Sequence, residues 1–483
     1  MSLQFIIGSS GIGKTHYACE QIIRESMENP QHLYYIIVPE QFTMQTQKNV
    51  VEMHPGKGIL NIDVLSFQRL AYRIFEETGG AREVLLDDTG KSMVLQKLVQ
   101  QHRKNLPYLG SQMNKPGYLD EVKSLISEFM QYDIREEELQ DMLGKTGEDS
   151  LLHMKMQDVG VLYQAFLQYL EGHYMTGEGV MDALKKAIPF SDKLKKSVLL
   201  LDGFTGFTPV QMNVIRELLN VCDKVLVTVT MDAGENPLQL GKPHQLFYMS
   251  RKMIHTLSGL TSNLDDPVLL KDERKGRFGN STSLDFLEKH LFRYRRSAYE
   301  KKQEEICIFA AESPVKELEE TARRIRRLVR EKNLKYGEIA VITGNLEAYK
   351  SIASQVFEES RIPYFLDEKH TILMNPFIEY IRAALEMVTK GFSYESVFRY
   401  LRCDMSGLGR EQVDMLENYV LALGIHGYKK WSEKWVRVYR TMDPEDIQVL
   451  NEYREIFVRE AEILAQGFSS GKRKVCEYCY RAS

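Results

Sequence analysis

The chain has 483 residues, 43% of them hydrophobic and 27% charged, with a formal net charge of −4 and a pI near 6.3. That length allows about three domains, and the composition is that of an ordinary globular protein. It excludes a polycation that binds nucleic acid by bulk charge, and no apolar run is long enough to span a bilayer. The N-terminus runs directly into a strand and a glycine turn without a signal-peptide pattern, so the expected location is cytoplasmic, without membrane contact.

In chain order, the apolar run Phe5–Ile7 is followed by Gly8–Thr15, which fits G-x-x-x-x-G-K-[ST], and then by Ala18, Ile22 and Ile23 at helical spacing. Strand, phosphate loop and helix are the expected elements. Gly8, Gly11 and Gly13 give the backbone conformations in which successive N–H groups face one anion at a helix N-terminus. Lys14 is then expected on the β- and γ-phosphates and the Thr15 hydroxyl on magnesium. Further strands are expected at Leu33–Val38 and Ile59–Leu65, each followed by a helix. Ser66 caps the helix Phe67–Glu77, which stops at Gly79-Gly80. From about Asp87 to Pro189 the pattern is helical, for example over Leu151–Leu170. Strands return at Val198–Leu201 and Val225–Val229, separated by a helix starting near Thr208-Pro209.

Residues 1–86 and 190–275 are thus expected to complete one parallel sheet around a helical insertion, 87–189. Thr261–Ser283, rich in Asp, Gly, Ser, Lys and Arg, reads as connecting chain, with 276–300 as the linker proper. A second alternating unit, 301–392, has expected strands Ile306–Phe309, Ile339–Ile342 and Pro363–Leu366, and helices Pro314–Glu331 and Leu346–Glu358. From 393 to 483 the periodicity is helical, and ending inside such a region suggests a truncated insertion.

The basic run Arg323, Arg324, Arg326, Arg327 and Arg330 follows Glu317, Glu319 and Glu320 on one helix, an order that suits the helix dipole and i,i+4 pairing. A solvated face is the expectation there. The six cysteines, Cys19, Cys222, Cys307, Cys403, Cys476 and Cys479, read as reduced core thiols. Cys476-Glu-Tyr-Cys479 supplies only half of a four-ligand metal site.

Several segments resemble the N-terminal motifs of UvrD-like superfamily 1 helicases, in order: Gly8–Thr15, Val38-Pro39-Glu40-Gln41, Val64–Ala71, Leu199–Phe204 and Phe207–Gln211. Glu338–Ile342 and Arg361–Tyr364 resemble the start of that family's second motor domain. As an ordered set they are similar to the AddB/RexB family, the B subunits of bacterial AddAB-type ATP-dependent helicase-nucleases, which process broken DNA ends for recombinational repair. The resemblance implies an α/β P-loop NTPase fold: RecA-like parallel-sheet domains with inserted all-helical subdomains. It implies ATP and Mg2+ as cofactors, Asp202 joining Thr15 at the metal, and a heterodimer with an A subunit that is the motor. It also implies that the B subunit holds emerging single-stranded DNA and scans it for Chi. A nuclease and a cysteine-held iron–sulfur cluster are implied only for a C-terminal region outside this chain.

Two departures bear on activity. The helicases end the relevant strand in Asp-Glu, where the Glu activates water; here Asp202 is followed by Gly203. Where they carry an arginine after the second-domain strand, Thr343-Gly344 aligns. Both losses act on chemistry rather than binding, so nucleotide held with little or no hydrolysis is expected. No room is expected before Gly8 for their glutamine-containing adenine-reading segment, so base selectivity is expected to be weak. The alternative is an autonomous DNA-dependent ATPase or helicase in which another carboxylate replaces the base. DNA-contact candidates lie just past strand ends or on the next helix: Gln41, Thr43, Arg69, Tyr72, Phe204 and Phe207.

Overall fold

The structure, a computed structural model, describes residues 2–80, 83–113, 115–147, 150–232, 234–271, 276–293, 297–367, 372–439 and 442–469. Cys476 and Cys479 lie outside the described residues. The chain divides into two compact units, 1–308 and 309–483.

In the first unit, β1 (Ser2–Gly8), α1 (Lys14–Glu28), β2 (Leu33–Ile37), α2 (Thr43–Met53), β3 (Ile62–Leu65) and α3 (Phe67–Thr78) alternate. Then come β4 (Val84–Leu86) and the helices α4 (Asp88–His102), α5 (Leu109–Gln112), α6 (Pro116–Gln131), α7 (Glu136–Gly144) and α8 (Leu151–Leu170). β5 (Tyr174–Thr176) and α9 (Gly179–Ala187) lead back to β6 (Ser197–Leu201), α10 (Pro209–Val221), β7 (Lys224–Thr230), α11 (Tyr248–Ser258), β8 (Val268–Leu269) and α12 (Thr282–His290).

Six strands form one parallel sheet in the order β3-β2-β6-β7-β1-β8. Its strands are apolar on both faces, as a sheet covered by helices requires. Leu3, Phe5 and Ile7 of β1 point into a core with α3, α9, α10 and α11, through residues such as Leu70, Leu184, Val214 and Ile254. Ile6 points the other way, with Ile36, Leu200 and Leu226, onto Ala18 and Ile22 of α1 and Val50 of α2. Ser66 caps α3 by accepting from the Arg69 N–H, and Gly79 ends it in the left-handed region at φ 78°. Thr208 caps α10 in a reciprocal box with Gln211.

Helices α4–α8 share a core around Leu95, Leu162 and Phe166. Two short strands, β4 and β5, also pair in parallel here. β5, inside 87–189, corrects the expectation of helix alone there, and its partner β4 falls just before it; three-residue strands carry too little periodicity to stand out. The expected connection at Thr261–Ser283 and 276–300 is likewise more structured than its polar composition implies. β8 adds to the sheet edge beside β1, and α12 follows with Ser281 as its cap.

In the second unit, α13 (Pro314–Lys332) packs on α14 (Leu346–Glu359) through Leu318, Ala322, Ile325, Ala353, Val356 and Phe357. α15 (Pro376–Thr389), α16 (Tyr394–Leu401), α17 (Arg410–Leu423), α18 (Tyr428–Ser432) and α19 (Asp446–Ser469) enclose a separate core around Trp431, Tyr419 and Phe457. The basic run lies on α13, where Arg323 pairs with Glu319 and Glu320, and Arg324 with Glu320.

The strands expected at 306–309, 339–342 and 363–366 do not form ladders among the described residues. Ile308, Ile342 and Phe365 are 93%, 92% and 89% exposed. An apolar run favours sheet, but a ladder also needs a neighbouring strand to supply donors and acceptors.

Candidate nucleotide site and sheet edge

β1 delivers the chain to Gly8, and α1 begins at Lys14. Between them Gly11 and Gly13 take φ values of 76° and 96°, a region that side-chain-bearing residues rarely enter. Gly13 is the N-cap of α1 and makes no side-chain cap, so no side chain competes there for the first-turn N–H groups. Gly8 is required by space: a Cβ would stand 2.7 Å from Ile12 Cγ2. Ile12 itself is buried and anchors the loop to the core beneath α1. Lys14 Nζ donates to the Ser9 carbonyl at 2.8 Å. Burial pulls the Lys14 pKa down, and the charges of Asp202 and Glu288 oppose that shift.

Asp202 follows β6, its N–H donating to the Ile37 carbonyl at 3.0 Å. Its side chain is buried and doubly held. Thr15 Oγ1 donates to both carboxylate oxygens at 3.0 Å, and Thr228 Oγ1 donates to Oδ1 at 2.6 Å. A hydroxyl and a carboxylate converging beside a glycine-rich helix N-terminus are the hard oxygen donors that magnesium takes, alongside phosphate. Thr15, Asp202, Lys14 and the glycine turn therefore fit a magnesium–nucleotide. The next residue, Gly203, sits at φ 78°, and its N–H donates to Thr228 Oγ1 at 3.4 Å. No carboxylate is available at that position, and its left-handed backbone disfavours any L side chain.

The remaining candidates lie past the C-terminal ends of β2, β3 and β6. Gln41 is exposed in a single 3-10 turn, Glu40–Phe42. Thr43 is buried, with its hydroxyl donating to the Glu40 carbonyl at 2.9 Å, so it braces this turn. Arg69 is exposed and pairs with Glu40 at 3.3 Å. Tyr72 is 40% exposed on the same helix, edge-on to Phe75. Phe204 and Phe207 are half-buried against Phe67, with ring centroids 5.6 Å and 6.2 Å from it. The structure thus gathers Gln41, Arg69, Phe204 and Phe207 along one edge of the sheet and turns Thr43 inward.

Sequence reasoning missed three features. Thr228, the second partner of Asp202, follows from register: Leu201 pairs with Val227, so the residue after each is a neighbour across the strands. A cleft of about 410 Å³ at this edge is lined by Glu40, Gln68, Phe204 and Gln211, and also by Gln131 from α6, which no local pattern would assign to it. The third is Glu288 on α12, inside what reads as a linker, whose charge acts on Lys14. Of the cysteines, Cys19 and Cys222 are buried free thiols, whereas Cys307 is exposed, so the expectation of core thiols throughout fails there.

A six-stranded parallel sheet layered by helices, with a glycine turn and a Thr15–Asp202 pair at its edge, defines an α/β protein of the P-loop NTPase type with a RecA-like helicase sheet. Residues 5–288 match the family described as ADDB, N-terminal, and residues 279–457 match the UvrD-like helicase C-terminal domain. The chain belongs to the AddB N-terminal family. It is 41% identical to a Lachnoclostridium phytofermentans protein named as the B subunit of an ATP-dependent helicase/deoxyribonuclease, over 99% of this chain and 42% of that protein. Proteins of the same name from Clostridium novyi and Caldanaerobacter subterraneus are 33% and 34% identical, again over 99% of this chain and 42% of theirs. The chain spans about two fifths of the length of these relatives. No helix among the described residues is long and apolar enough to cross a membrane.

Proposed function

We propose that this chain is the helicase-like N-terminal portion of the B subunit of a cytoplasmic ATP-dependent helicase-nuclease that processes DNA double-strand breaks. In this reading the first unit holds ATP or ADP with Mg2+ and hydrolyses it weakly or not at all, while the sheet edge holds single-stranded DNA during scanning for Chi. Residues 1–86 and 190–275 are the first RecA-like domain, 87–189 its helical insertion, 276–300 the linker, 301–392 the start of the second RecA-like domain and 393–483 a further helical insertion. The partner is the motor A subunit, and an iron–sulfur cluster belongs to other parts of such a complex.

The observation that carries the reading is the pairing of a held Asp202 with a bare Gly203. Gly8, Gly11, Gly13 and Lys14 cradle and neutralise phosphate, while Thr15 and Asp202 serve the metal. Without a carboxylate after Asp202, no group there takes the proton of an attacking water, and a lost general base costs about 10²–10⁴-fold in rate. At the sheet edge, aromatic stacking contributes about 1–3 kcal/mol per base. Phe204, Phe207 and Tyr72 offer it, with Gln41 and Arg69 for base edges and phosphates; Thr43 serves them by bracing the turn.

Titration calorimetry of the chain with Mg-ATP and with a single-stranded oligonucleotide tests this. Both ligands are expected to bind, Lys14→Ala to lower ATP affinity about 10–100-fold, in line with a charged hydrogen bond of about 1.5–3 kcal/mol, and Arg69→Ala or Phe207→Ala to weaken the oligonucleotide alone. Failure of both ligands to bind contradicts the proposal. A second reading, an autonomous DNA-dependent ATPase, needs another carboxylate in place of the missing base, and Glu288 on α12, whose charge acts on Lys14, is the candidate to test. Glu288→Gln abolishing a measurable DNA-stimulated turnover would favour it.

A further inference from the structure

The turn that follows β8 lies directly on the phosphate loop. The Arg277 N–H donates to the Gly11 carbonyl at 2.8 Å, and the Phe278 ring lies so close that a Cβ on Gly11 would stand 2.8 Å from its Cε2. Gly276 permits this approach: a Cβ there would be 3.0 Å from the Gly11 oxygen and 3.3 Å from Ile12 Cα. The turn is itself fixed on both sides. Leu270 N–H donates to the Ile7 carbonyl at 2.8 Å upstream, Gly279 N–H donates to Gly276 and Ser281 N–H to Phe278, both at 2.9 Å, and Ser281 then caps α12.

Direction matters here. A phosphate loop binds anions with its N–H groups, and the turn takes up a carbonyl, so it braces the loop without using a donor that phosphate needs. Gly11 and Gly13 in the left-handed region are conformationally costly to order, and an external hydrogen bond with an aromatic contact holds Gly11 in place before any ligand arrives.

The brace also carries a cationic residue at its surface. Arg277 is exposed, its Cβ lies 3.3 Å from where a Gly11 Cβ would be, and its side chain makes no ion pair among the described residues. We propose that the turn Gly276–Gly279 completes the nucleotide site, its backbone and Phe278 bracing Gly11 and the Arg277 guanidinium serving as a further ligand of the nucleotide's phosphates. The chemical class is a nucleoside di- or triphosphate, and a planar guanidinium suits phosphate oxygens by forked hydrogen bonding. Position 277 comes from the same unit as Lys14, so this cation is supplied without the second unit, where Thr343-Gly344 offers none. The inference rests on the nucleotide-binding reading.

The test is calorimetry of the full chain with Mg-ATP and Mg-ADP, comparing the unaltered protein with Lys14→Ala, Arg277→Ala, Arg277→Lys and Phe278→Ala, and recording each protein's melting temperature without ligand. Arg277→Ala is expected to melt as the unaltered chain does, to bind ATP about 10-fold more weakly, and to lose less for ADP. Arg277→Lys is expected to recover part of the loss, and Phe278→Ala to weaken both nucleotides alike by loosening the loop. Unchanged ATP affinity in Arg277→Ala, beside a loss in Lys14→Ala, overturns the inference while leaving nucleotide binding intact. Absence of binding by the unaltered chain overturns both.

Discussion

The two units contain the same local pattern, an apolar run followed by an amphipathic helix, and resolve it differently. In the first, Leu226 of β7 is fully buried between β6 and β1, its neighbours on either side in the sheet. In the second, Ile342 precedes α14 at the corresponding point of the pattern and is 92% exposed. The helices after these runs form in both cases, because helix hydrogen bonds are local, whereas a strand is stable only once chain distant in sequence has come beside it. An apolar run is therefore a preference that non-local pairing converts into structure.

That contrast can be broken most sharply by stability. Leu226→Ala should destabilise the first unit by about 2–5 kcal/mol, the range for emptying a packed core site, whereas Ile342→Ser should change stability by no more than about 0.5 kcal/mol, as exposed substitutions do. Urea unfolding of both variants measures the difference; equal losses would show that the exposed runs carry a packing role.

A smaller effect is expected at Gly203. Replacement by Glu restores the helicase-like Asp-Glu pair in sequence but places a side chain at φ 78°, which costs about 1–2 kcal/mol. The melting temperature should fall and ATP turnover should stay at the unaltered level, because the strained carboxylate does not take up the productive geometry. A gain in turnover would show that only the missing base limits the site.

Alkaline pH should distinguish buried from exposed groups. Burial raises the thiols of Cys19 and Cys222 to about 12 and about 11 and the Tyr35 phenol to about 12. Each is an acid whose folded pKa lies above its unfolded value of about 8.5 for Cys or 10 for Tyr. Their contribution to stability is fully present below those values and is lost as pH rises through 11–12. Thermal melts between pH 8 and 11 should show the first unit weakening steadily. Under native conditions at pH 8, iodoacetamide should label Cys307 and leave Cys19 and Cys222 untouched.

Much of the first unit was legible because its signals are local. Ser66 and Gly79 bound α3, Thr208-Pro209 starts α10, and Gly8–Thr15 marks the turn between β1 and α1. Helix α8 runs over Leu151–Leu170 as its periodicity predicts. What escaped depends on chain folding back from a distance. Thr228 reaches Asp202 across a strand pair, Gln131 enters the sheet-edge cleft from the helical block, and Arg277 meets Gly11 from a stretch whose polar composition reads as linker. Thr43 shows the same limit from the other side: its position after β2 was readable, but the inward turn of its hydroxyl toward Glu40 was not.

The most direct measurement is steady-state ATP turnover by the purified chain, alone and with saturating single-stranded DNA, on protein already shown by calorimetry to bind Mg-ATP. Bound nucleotide with turnover near background and no stimulation by DNA is expected, because Thr15 and Asp202 would hold the metal while Gly203 offers no base. Rapid hydrolysis that rises with added DNA and disappears in Lys14→Ala would contradict it.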